Sequence, residues 1–248
     1  MEAALYLIPV TLGESEHSAV FPAYNREIIM GISHFIVEEE RTARRFLKKV
    51  DRSIDIDKLT FYPMGKHADS SHFRAYLKPL SEGQPMGVIS EAGCPAVADP
   101  GADIVAIAQE MGLRVIPLVG PSSILLGLMA SGFNGQSFAF QGYLPVGATE
   151  RLSVIKKLEA RSYSEDQTEI FIETPYRNQQ MFRDLLSVCH PQTKLCIAAG
   201  ITCAEEFIQT RTIQAWKGVQ LPDLRKVPAL FLIYRASSVR LTARQRKK

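Results

Sequence analysis

The 248-residue sequence lacks the motifs that carry the commonest nucleotide and metal chemistry. It holds no GxxxxGK[ST], which argues against a P-loop nucleotidase, and no GxGxxG after the first apolar run, which argues against an ordinary dinucleotide fold. HExxH is absent as well, and the five histidines are scattered along the chain. We therefore expect no metal centre and no phosphate-loop enzyme.

Long apolar runs and paired cysteines are also missing. No run approaches the roughly 20 residues that span a bilayer. The N-terminal stretch MEAALYLIPV has no basic leader and reads as a strand, so we expect no signal peptide. The four cysteines form no CxxC pair, which favours reduced thiols and a cytoplasmic protein.

Most of the chain carries no large excess of positive or negative charge. The net charge is +3, but the stretch from Arg235 to the end holds six basic residues and no acid. The rest carries 23 basic and 26 acidic residues, so any contact with a polyanion must be local. The basic stretch itself is either a disordered, solubilising tail or a nucleic-acid contact.

Short apolar runs alternate with helical patterns along the chain. This alternation predicts an α/β fold with mainly parallel or mixed sheets. Ten or so strands are too many for one small sheet, so we predict two α/β domains, 1–118 and 119–234, followed by the tail 235–248. The predicted strands lie in ALYLIP, HFIVE, LTFYP, MGVIS, LRVIPL, SFAFQGYLP, TEIFIETP, KLCIAAG, EFIQTRTI and VPALFLIY, and the clearest helices in 41–50 and 71–80.

The stretch SEAGCPAVADPG, residues 90–101, directly follows one of these strands. Gly93 allows a sharp turn and a close approach of the backbone to a ligand, and Pro95 fixes its own φ and disfavours a helical conformation at Cys94. Asp99 is predicted to cap the next helix, with Pro100 at its first position. The turn is either a well-made strand-to-helix connection or part of a ligand site.

A second turn of this kind lies in PLVGPSSILLGLMASG, residues 117–132. Gly120 and Pro121 are predicted to open a helix, with Ser122 and Ser123 in its first turn. Two strand-end turns rich in glycine and proline suit one bound small molecule.

Basic residues occupy one face of the helix predicted over 41–50. Apolar residues take the opposite face, so the helix is expected to be amphipathic. The basic face is either a polyanion contact or an ordinary solvated surface. Its members are Arg41, Arg44, Arg45, Lys48 and Lys49, against Ala43, Phe46, Leu47 and Val50.

Taken in order, VISEAGCPAVADPG and VIPLVGPSSILLGLMASG resemble the S-adenosylmethionine-dependent tetrapyrrole methylase superfamily. Within it they resemble the branch of the small-subunit ribosomal RNA 2′-O-ribose methyltransferase. That branch carries a serine-aspartate-alanine-glycine-threonine-proline turn, an aspartate-proline-glycine and a proline-glycine-proline-serine. Three more segments are similar to family motifs in the same order: EEERTARRFL, FAFQGYLP and FIETPYR.

The resemblance implies two α/β domains with S-adenosylmethionine in a cleft between them, S-adenosylhomocysteine as product, and usually a homodimer. It implies ribosomal RNA or the small ribosomal subunit as partner. Carried onto this sequence, the cofactor-binding residues are Pro9, Gly93, Cys94, Pro95, Val97, Ser122, Ser123, Glu173, Ala199, Ala229 and Leu230.

Five polar residues in family motifs could orient a ribose hydroxyl or remove its proton. Glu173 and Arg177 lie four residues apart at a strand-to-helix turn, where they form either part of a site or a plain salt bridge. The five candidate catalytic residues are Glu38, Glu39, Arg41, Glu173 and Arg177.

The sequence departs from the family in CIAAGITCAEEF. Ala199, Gly200 and Cys203 stand where the family has an arginine, a glutamate and a lysine. Three hypotheses stay open: a ribosomal RNA 2′-O-methyltransferase or divergent paralogue, a methylase of a tetrapyrrole or other small molecule, and a cofactor-binding protein with lost or altered catalysis.

Overall fold

The structure is a computed structural model that describes residues 1–65, 68–220 and 223–236. Two compact units make up the chain, and the division falls between Ser122 and Ser123, four residues beyond the boundary expected from the sequence. The extra residues belong to the first unit for a physical reason. The Asn25 side chain donates to the Val119 carbonyl at 2.8 Å, which ties this segment to the first unit.

The first unit contains a sheet of five strands in the order β3-β2-β4-β1-β5, all parallel. Every apolar run predicted there forms a strand, so the predicted α/β class is confirmed. Strand β4 is buried along its whole length, as a central parallel strand covered on both faces should be. The bounds are β1 Leu5–Ile8, β2 His34–Val37, β3 Thr60–Pro63, β4 Met86–Ile89 and β5 Val115–Pro117.

Helices cover both faces of this sheet. One apolar core joins Phe35 to Leu47 of α3, and the other joins Ile36 to Ile104 of α6. Alternate residues of β2 thus point into different cores, as the pleat requires. The helices are α1 His17–Val20, α2 Ala23–Met30, α3 Glu40–Val50, α4 Phe73–Tyr76, α5 Lys78–Ser81 and α6 Ala102–Glu110.

The single helix predicted over 71–80 is wrong. A 3-10 turn at Ser70–His72 leads into α4, and the chain leaves helical geometry at Leu77 before α5 begins. Pro79, the second residue of α5, has no amide hydrogen to bond to the preceding turn, so the helix is interrupted here.

Helix α3 has the two faces that the sequence predicts. All five basic side chains are exposed, and Ala43, Phe46, Leu47 and Val50 are buried. The basic stripe, defined as Arg41, Arg44, Arg45, Lys48 and Lys49, therefore faces solvent within the first unit.

The second unit contains a mixed sheet in the order β6-β7-β10-β8-β9. Strands β6 and β7 are parallel, whereas β10 runs antiparallel to both its neighbours and β9 antiparallel to β8. The bounds are β6 Phe138–Tyr143, β7 Thr168–Glu173, β8 Lys194–Ala199, β9 Phe207–Thr212 and β10 Ala229–Tyr234.

A core of aromatic and aliphatic side chains lies on one face of this sheet. Phe171 and Phe231 stack with their ring centroids 6.0 Å apart, and Trp216 packs edge-on against Phe182. The buried Trp216 indole donates to the Leu195 carbonyl at 2.9 Å, so its polar atom is satisfied. The helices are α7 Ser123–Ser131, α8 Ala148–Glu165, α9 Asn178–Val188 and α10 Ile213–Trp216.

The start of the predicted basic tail lies against α8. The Arg235 amide donates to the Ser162 hydroxyl at 3.0 Å, and its guanidinium lies 4.8 Å from the centre of the Tyr163 ring. Residues 237–248 lie outside the described residues. Among the helices that the structure describes, none is both long and apolar enough to cross a membrane.

Candidate cofactor and substrate site

Three strand-end loops meet at the carboxyl edge of the parallel sheet. The Val10 amide, after β1, donates to the Gly93 carbonyl, after β4, at 2.9 Å. The loop after β5 approaches so closely that a Cβ on Gly120 would lie 2.3 Å from Pro9 Cβ. Because β4 and β5 flank β1 in one parallel sheet, their carboxyl ends share an edge, and ligands of such sheets bind there.

Gly93 is the point where these loops are closest. It has a φ of +70°, and a Cβ there would lie 3.0 Å from Leu12 Cδ2 and 3.3 Å from the Pro121 carbonyl oxygen. The neighbouring Cys94 thiol lies 3.5 Å from that same carbonyl. Burial raises the pKa of the Cys94 thiol, so it stays protonated near neutral pH and serves as a donor rather than a nucleophile.

The helix expected to open at Gly120 and Pro121 begins later than predicted. Helix α7 starts at Ser123, so Ser123 lies in its first turn but Ser122 precedes it. Gly120 packs closely on Pro9, and the Cys94 thiol contacts the Pro121 carbonyl. These contacts hold the segment in the loop cluster, which is the group of three loops that follow β1, β4 and β5. The chain becomes helical only beyond these contacts.

The turn after β4 is held in unusual backbone conformations. Ala96 and Ala98 have φ values of 67° and 63°, in the left-handed region, at a cost of roughly 1 kcal/mol each. The Ala96 amide donates to the Pro100 carbonyl at 3.1 Å and closes the turn. The N-cap of α6 is Gly101, with φ 125°, and the helix begins at Ala102. The predicted capping role of Asp99 and first-position role of Pro100 are therefore wrong.

Asp99 is instead a partly buried carboxylate beside this turn. Burial raises the pKa of Asp99 above its ordinary value, and the negative charge of Glu91 adds to the effect, although a hydrogen bond from the Ala92 amide opposes it. Keeping a carboxylate where its charge is disfavoured is typical of functional sites.

The first turn of α3 is joined to the same edge. The Glu91 amide donates to Glu38 Oε2 at 3.3 Å, and the Thr42 hydroxyl donates to the Glu91 carboxylate. Glu39 caps α3 by accepting from the Arg41 amide at 3.3 Å. Three predicted catalytic residues, Glu38, Glu39 and Arg41, thus lie together at the edge that carries the Gly93 turn.

Sequence reasoning missed the contact between Glu91 and Thr42. The two residues are 49 positions apart, and both are polar residues of ordinary type. Their contact arises only because β2 and β4 are neighbours in the sheet, and no local spacing signals it.

A surface pocket of about 480 Å³ opens at the start of α3, lined by Glu39, Glu40, Arg41, Arg44 and Arg45. Three of the basic residues also have structural partners. Arg44 pairs with Glu40 at 2.6 Å and lies over the Phe61 ring, Lys48 donates to the Ile54 carbonyl at 2.6 Å, and Lys49 pairs with Glu14 at 3.9 Å. The remaining basic side chains of the stripe are the better candidates for contact with an external anion.

In the second unit, the predicted site residues form a row across three strands. Ala229 of β10 pairs with Glu173 of β7 on one side and with Ala199 of β8 on the other. Leu230 is the next residue along β10. The structure therefore brings Glu173, Ala199, Ala229 and Leu230 to one edge of this sheet, although their sequence separations reach 57 residues.

Glu173 and Arg177 form an ion pair. Glu173 Oε1 accepts from Arg177 Nη2 at 2.6 Å and Nε at 2.9 Å, and from the Thr174 amide at 2.6 Å. The Glu173 side chain is buried, so the pair is protected from solvent. Of the two interpretations open at this turn, the salt bridge is present.

The segment that departs from the family forms a tight turn after β8. Gly200 and Thr202 have φ values of 57° and 70°, and the Thr202 amide donates to the Glu206 carboxylate at 2.9 Å. A Cβ on Gly200 would lie 3.1 Å from the Glu205 side chain. The turn is closed by contacts with its own acidic side chains, Glu205 and Glu206. None of the residues at positions 199, 200 and 203 is a cation.

Within residues 1–65, 68–220 and 223–236, no group of three His, Cys, Asp or Glu side chains is placed to hold a metal ion.

Comparison with known proteins gives the class. No family model matches the chain. A ribosomal RNA small subunit methyltransferase I of Mesorhizobium japonicum is 31% identical over 215 residues, which cover 87% of this chain and 69% of that protein. The protein of the same name from Vibrio cholerae is 28% identical over 208 residues, covering 83% and 67%. The chain thus spans about two thirds of the length of these relatives.

Solved structures share the fold. The methyltransferase CobJ aligns with a TM-score of 0.62 over 94% of both chains at 14% identity. Uroporphyrin-III C-methyl transferase from Thermus thermophilus, complexed with S-adenosyl homocysteine, aligns with a TM-score of 0.53 over 96% of this chain and 99% of that one, at 16% identity.

Fold and sequence together define a methyltransferase with the fold of the tetrapyrrole methylase superfamily. The family resemblance carried by the strand-end motifs is confirmed. Within that superfamily, the chain belongs to the ribosomal RNA small subunit methyltransferase I family.

The raised pKa of Asp99 has a consequence for stability. A carboxyl group whose folded-state pKa is raised stabilises the fold at low pH, and this contribution is lost as pH rises through the folded-state pKa. We expect Asp99→Asn, which cannot ionise, to gain stability relative to wild type as pH rises from about 4 to 8. Urea unfolding at a series of pH values measures the difference.

Asp103→Asn is the matched control, because Asp103 is an exposed acid in the first turn of the adjoining α6. Its loss removes a favourable interaction with the helix N-terminus, so this variant should be no more stable than wild type at neutral pH. If the free energy of unfolding of Asp99→Asn differs from that of wild type by the same amount at every pH, the raised pKa assigned to Asp99 is contradicted.

Proposed function

We propose that the protein transfers a methyl group from S-adenosylmethionine to a ribose 2′-hydroxyl of small-subunit ribosomal RNA. The observation that carries the proposal is the link between the basic helix and the Gly93 turn. Thr42, in the first turn of α3, is hydrogen bonded to Glu91, two residues before Gly93. An RNA backbone that follows the basic stripe would therefore lead toward the proposed cofactor turn.

The residues of the first unit fit the cofactor. Gly93, Cys94, Pro95 and Val97 form a compact turn that offers backbone groups. The Asp99 and Glu91 carboxylates lie in or beside this turn, and negative charge favours a bound sulfonium. The cofactor supplies an electrophilic methyl group. We propose Pro9, Ser122 and Ser123 as further contacts, because Pro9 and the segment around Ser122 belong to the loop cluster.

Glu173, Ala199, Ala229 and Leu230 are proposed cofactor contacts of the second unit. Support comes from the strand register, which places these four residues along one edge. Glu173 is suited to a structural part of this role, since Arg177 neutralises its charge.

Among the carboxylates proposed for catalysis, Glu38 is best suited to receive the proton of the ribose hydroxyl. A hydroxyl is a weak nucleophile and needs a base as its oxygen bonds to carbon. Glu38 is oriented by the Glu91 amide beside the Gly93 turn. We propose that Arg41, exposed at the start of α3, orients the RNA.

A homodimer is also proposed. Leu125 and Met129, one turn apart on α7, are 52% and 77% exposed. An exposed apolar face of this kind suits a self-complementary contact with a second copy of the chain.

The reaction is tested with small ribosomal subunits that lack the modification. Wild-type protein should transfer labelled methyl to their RNA, and the product should resist alkaline cleavage because the 2′-oxygen is blocked. Glu38→Gln should lower kcat by about 10² or more while S-adenosylhomocysteine affinity is kept.

Glu40→Gln is its control, because Glu40 is an exposed neighbour whose carboxylate pairs with Arg44. Methylation at a base rather than a ribose, or no transfer at all, would refute the proposed reaction. Full activity of Glu38→Gln would refute only the assignment of the base.

The cofactor turn is tested by Gly93→Val. A branched side chain is strained at φ +70° and would press on Leu12 and the Pro121 carbonyl, so the three loops must separate. We expect affinity for S-adenosylhomocysteine to fall at least tenfold, or about 1.4 kcal/mol, by calorimetry.

Gly83→Val carries a comparable backbone strain, with φ +86°, but a Cβ there meets nothing within 4 Å. It should bind the cofactor like wild type. Equal affinity in Gly93→Val, checked to be folded by circular dichroism, would mean that the site is misplaced.

The basic stripe is tested by Arg41→Gln combined with Arg45→Gln, two exposed cations of α3. If both contact phosphates, the slope of log affinity for RNA against log salt should flatten by about 1.4 to 1.8. Cofactor affinity and stability should be unchanged, since glutamine is a good helix former.

Arg74→Gln combined with Lys78→Gln removes the same charge from α4 and α5 of the same unit. These cations pair with Glu110 and Glu82, so their loss should leave the slope nearly unchanged. If the salt slope of RNA affinity is unaltered in the α3 variant, the basic stripe is a solvated face and does not contact phosphates.

A further inference from the structure

Two tyrosines are exposed where β6 and β7 end. Tyr143, the last residue of β6, is 58% exposed, and Tyr176, three residues beyond the end of β7, is 75% exposed. The two strands are parallel, and Tyr143 lies opposite Ile172 in the register. Both tyrosines therefore lie at the carboxyl edge of this strand pair.

Neither ring belongs to the apolar core of the second unit, which is built from residues such as Phe171, Phe231 and Trp216. Val146, between Tyr143 and helix α8 in the sequence, is also exposed, at 74%. Large exposed apolar side chains gathered at one place mark interaction sites more often than those scattered singly.

The backbone that carries Tyr176 is firmly held. The Arg177 amide donates to the Thr174 carbonyl at 2.9 Å, and the Arg177 guanidinium is fixed on the buried Glu173 carboxylate. A ring mounted on a rigid turn loses little conformational entropy when it binds a ligand. The ion pair of Glu173 with Arg177 thus anchors the turn that presents Tyr176.

Flat aromatic rings at an exposed edge suit unpaired nucleobases. Every base has a face that can stack, and RNA-binding proteins read single-stranded loops by splaying bases onto Tyr, Phe or Trp. Tyrosine combines a stacking face with a hydroxyl that stays in water. Two rings at the ends of neighbouring strands can receive successive nucleotides of one strand.

We propose that Tyr143 and Tyr176 form a stacking platform for unpaired nucleotides of the RNA substrate. This rests on the proposed function, and it adds a sequence-tolerant contact in the second unit to the phosphate contacts proposed for α3.

The test uses the full chain and an unstructured single-stranded RNA of about 12 nucleotides, with binding followed by fluorescence anisotropy over a range of salt. Tyr143→Ala combined with Tyr176→Ala should weaken binding by at least about 30-fold, while Tyr143→Phe combined with Tyr176→Phe stays within about twofold. The salt slope should not change in either variant, because no phosphate contact is removed.

Tyr24→Ala is the matched control, since Tyr24 on α2 is also well exposed, at 61%, but lies in the first unit. It should bind the oligonucleotide like wild type. Circular dichroism and sedimentation of all variants check folding and assembly.

Wild-type affinity in the double alanine variant overturns the platform and leaves the proposed function intact. Unchanged RNA affinity with a smaller sedimenting species would assign the tyrosines to contact between copies and also overturns it. A wild type that methylates subunits but does not bind the oligonucleotide overturns the platform alone. A wild type that neither binds nor methylates RNA overturns both proposals.

Discussion

The candidate site of the first unit depends on the close approach of three backbone loops at the carboxyl edge of a parallel sheet. One hydrogen bond, from the Val10 amide to the Gly93 carbonyl, joins the first two loops. The third loop can come this close only because Gly120 has no side chain, since a Cβ there would overlap Pro9. Backbone polar groups concentrated at such an edge bind a ligand without needing many charged side chains.

This constraint explains the strain in the adjoining turn. With Gly93 fixed against the other loops, the chain must reach α6 within a few residues, and it does so with Ala96 and Ala98 in left-handed conformations. The same turn keeps Asp99 partly buried, where its charge is disfavoured. Strain and a raised pKa in one short segment are typical of a site whose geometry serves binding rather than stability.

The two units supply different kinds of polar groups. In the first unit, carboxylates and backbone amides lie beside α3, whose basic face is exposed to solvent. The carboxylates complement the positive charge of a sulfonium, and the basic face complements the negative charge of a polyanion. In the second, Glu173 and Arg177 neutralise each other and hold a turn in place. The ion pair contributes order at the strand end that presents the exposed Tyr176 ring.

Much of the architecture is local enough to be read from the sequence. Apolar runs and amphipathic periods predicted all ten described strands and the two faces of α3, because these patterns report burial directly. Helix starts were less predictable. Asp99 and Pro100 form an ordinary start signal, but the left-handed turn before them moves the start of α6 to Ala102. Pro79 interrupts a helix whose apolar period continues through it.

By itself, the sequence determined the α/β class, the order of the motifs and the residues that carry the family resemblance, since each depends on composition and spacing along the chain. The tertiary structure alone decided which of these residues meet. Glu91 reaches Thr42 across 49 positions because β2 and β4 are neighbours. Glu173, Ala229 and Ala199 align because β10 runs antiparallel between β7 and β8. Strand order and direction arise from the packing of the whole unit, which no local pattern encodes.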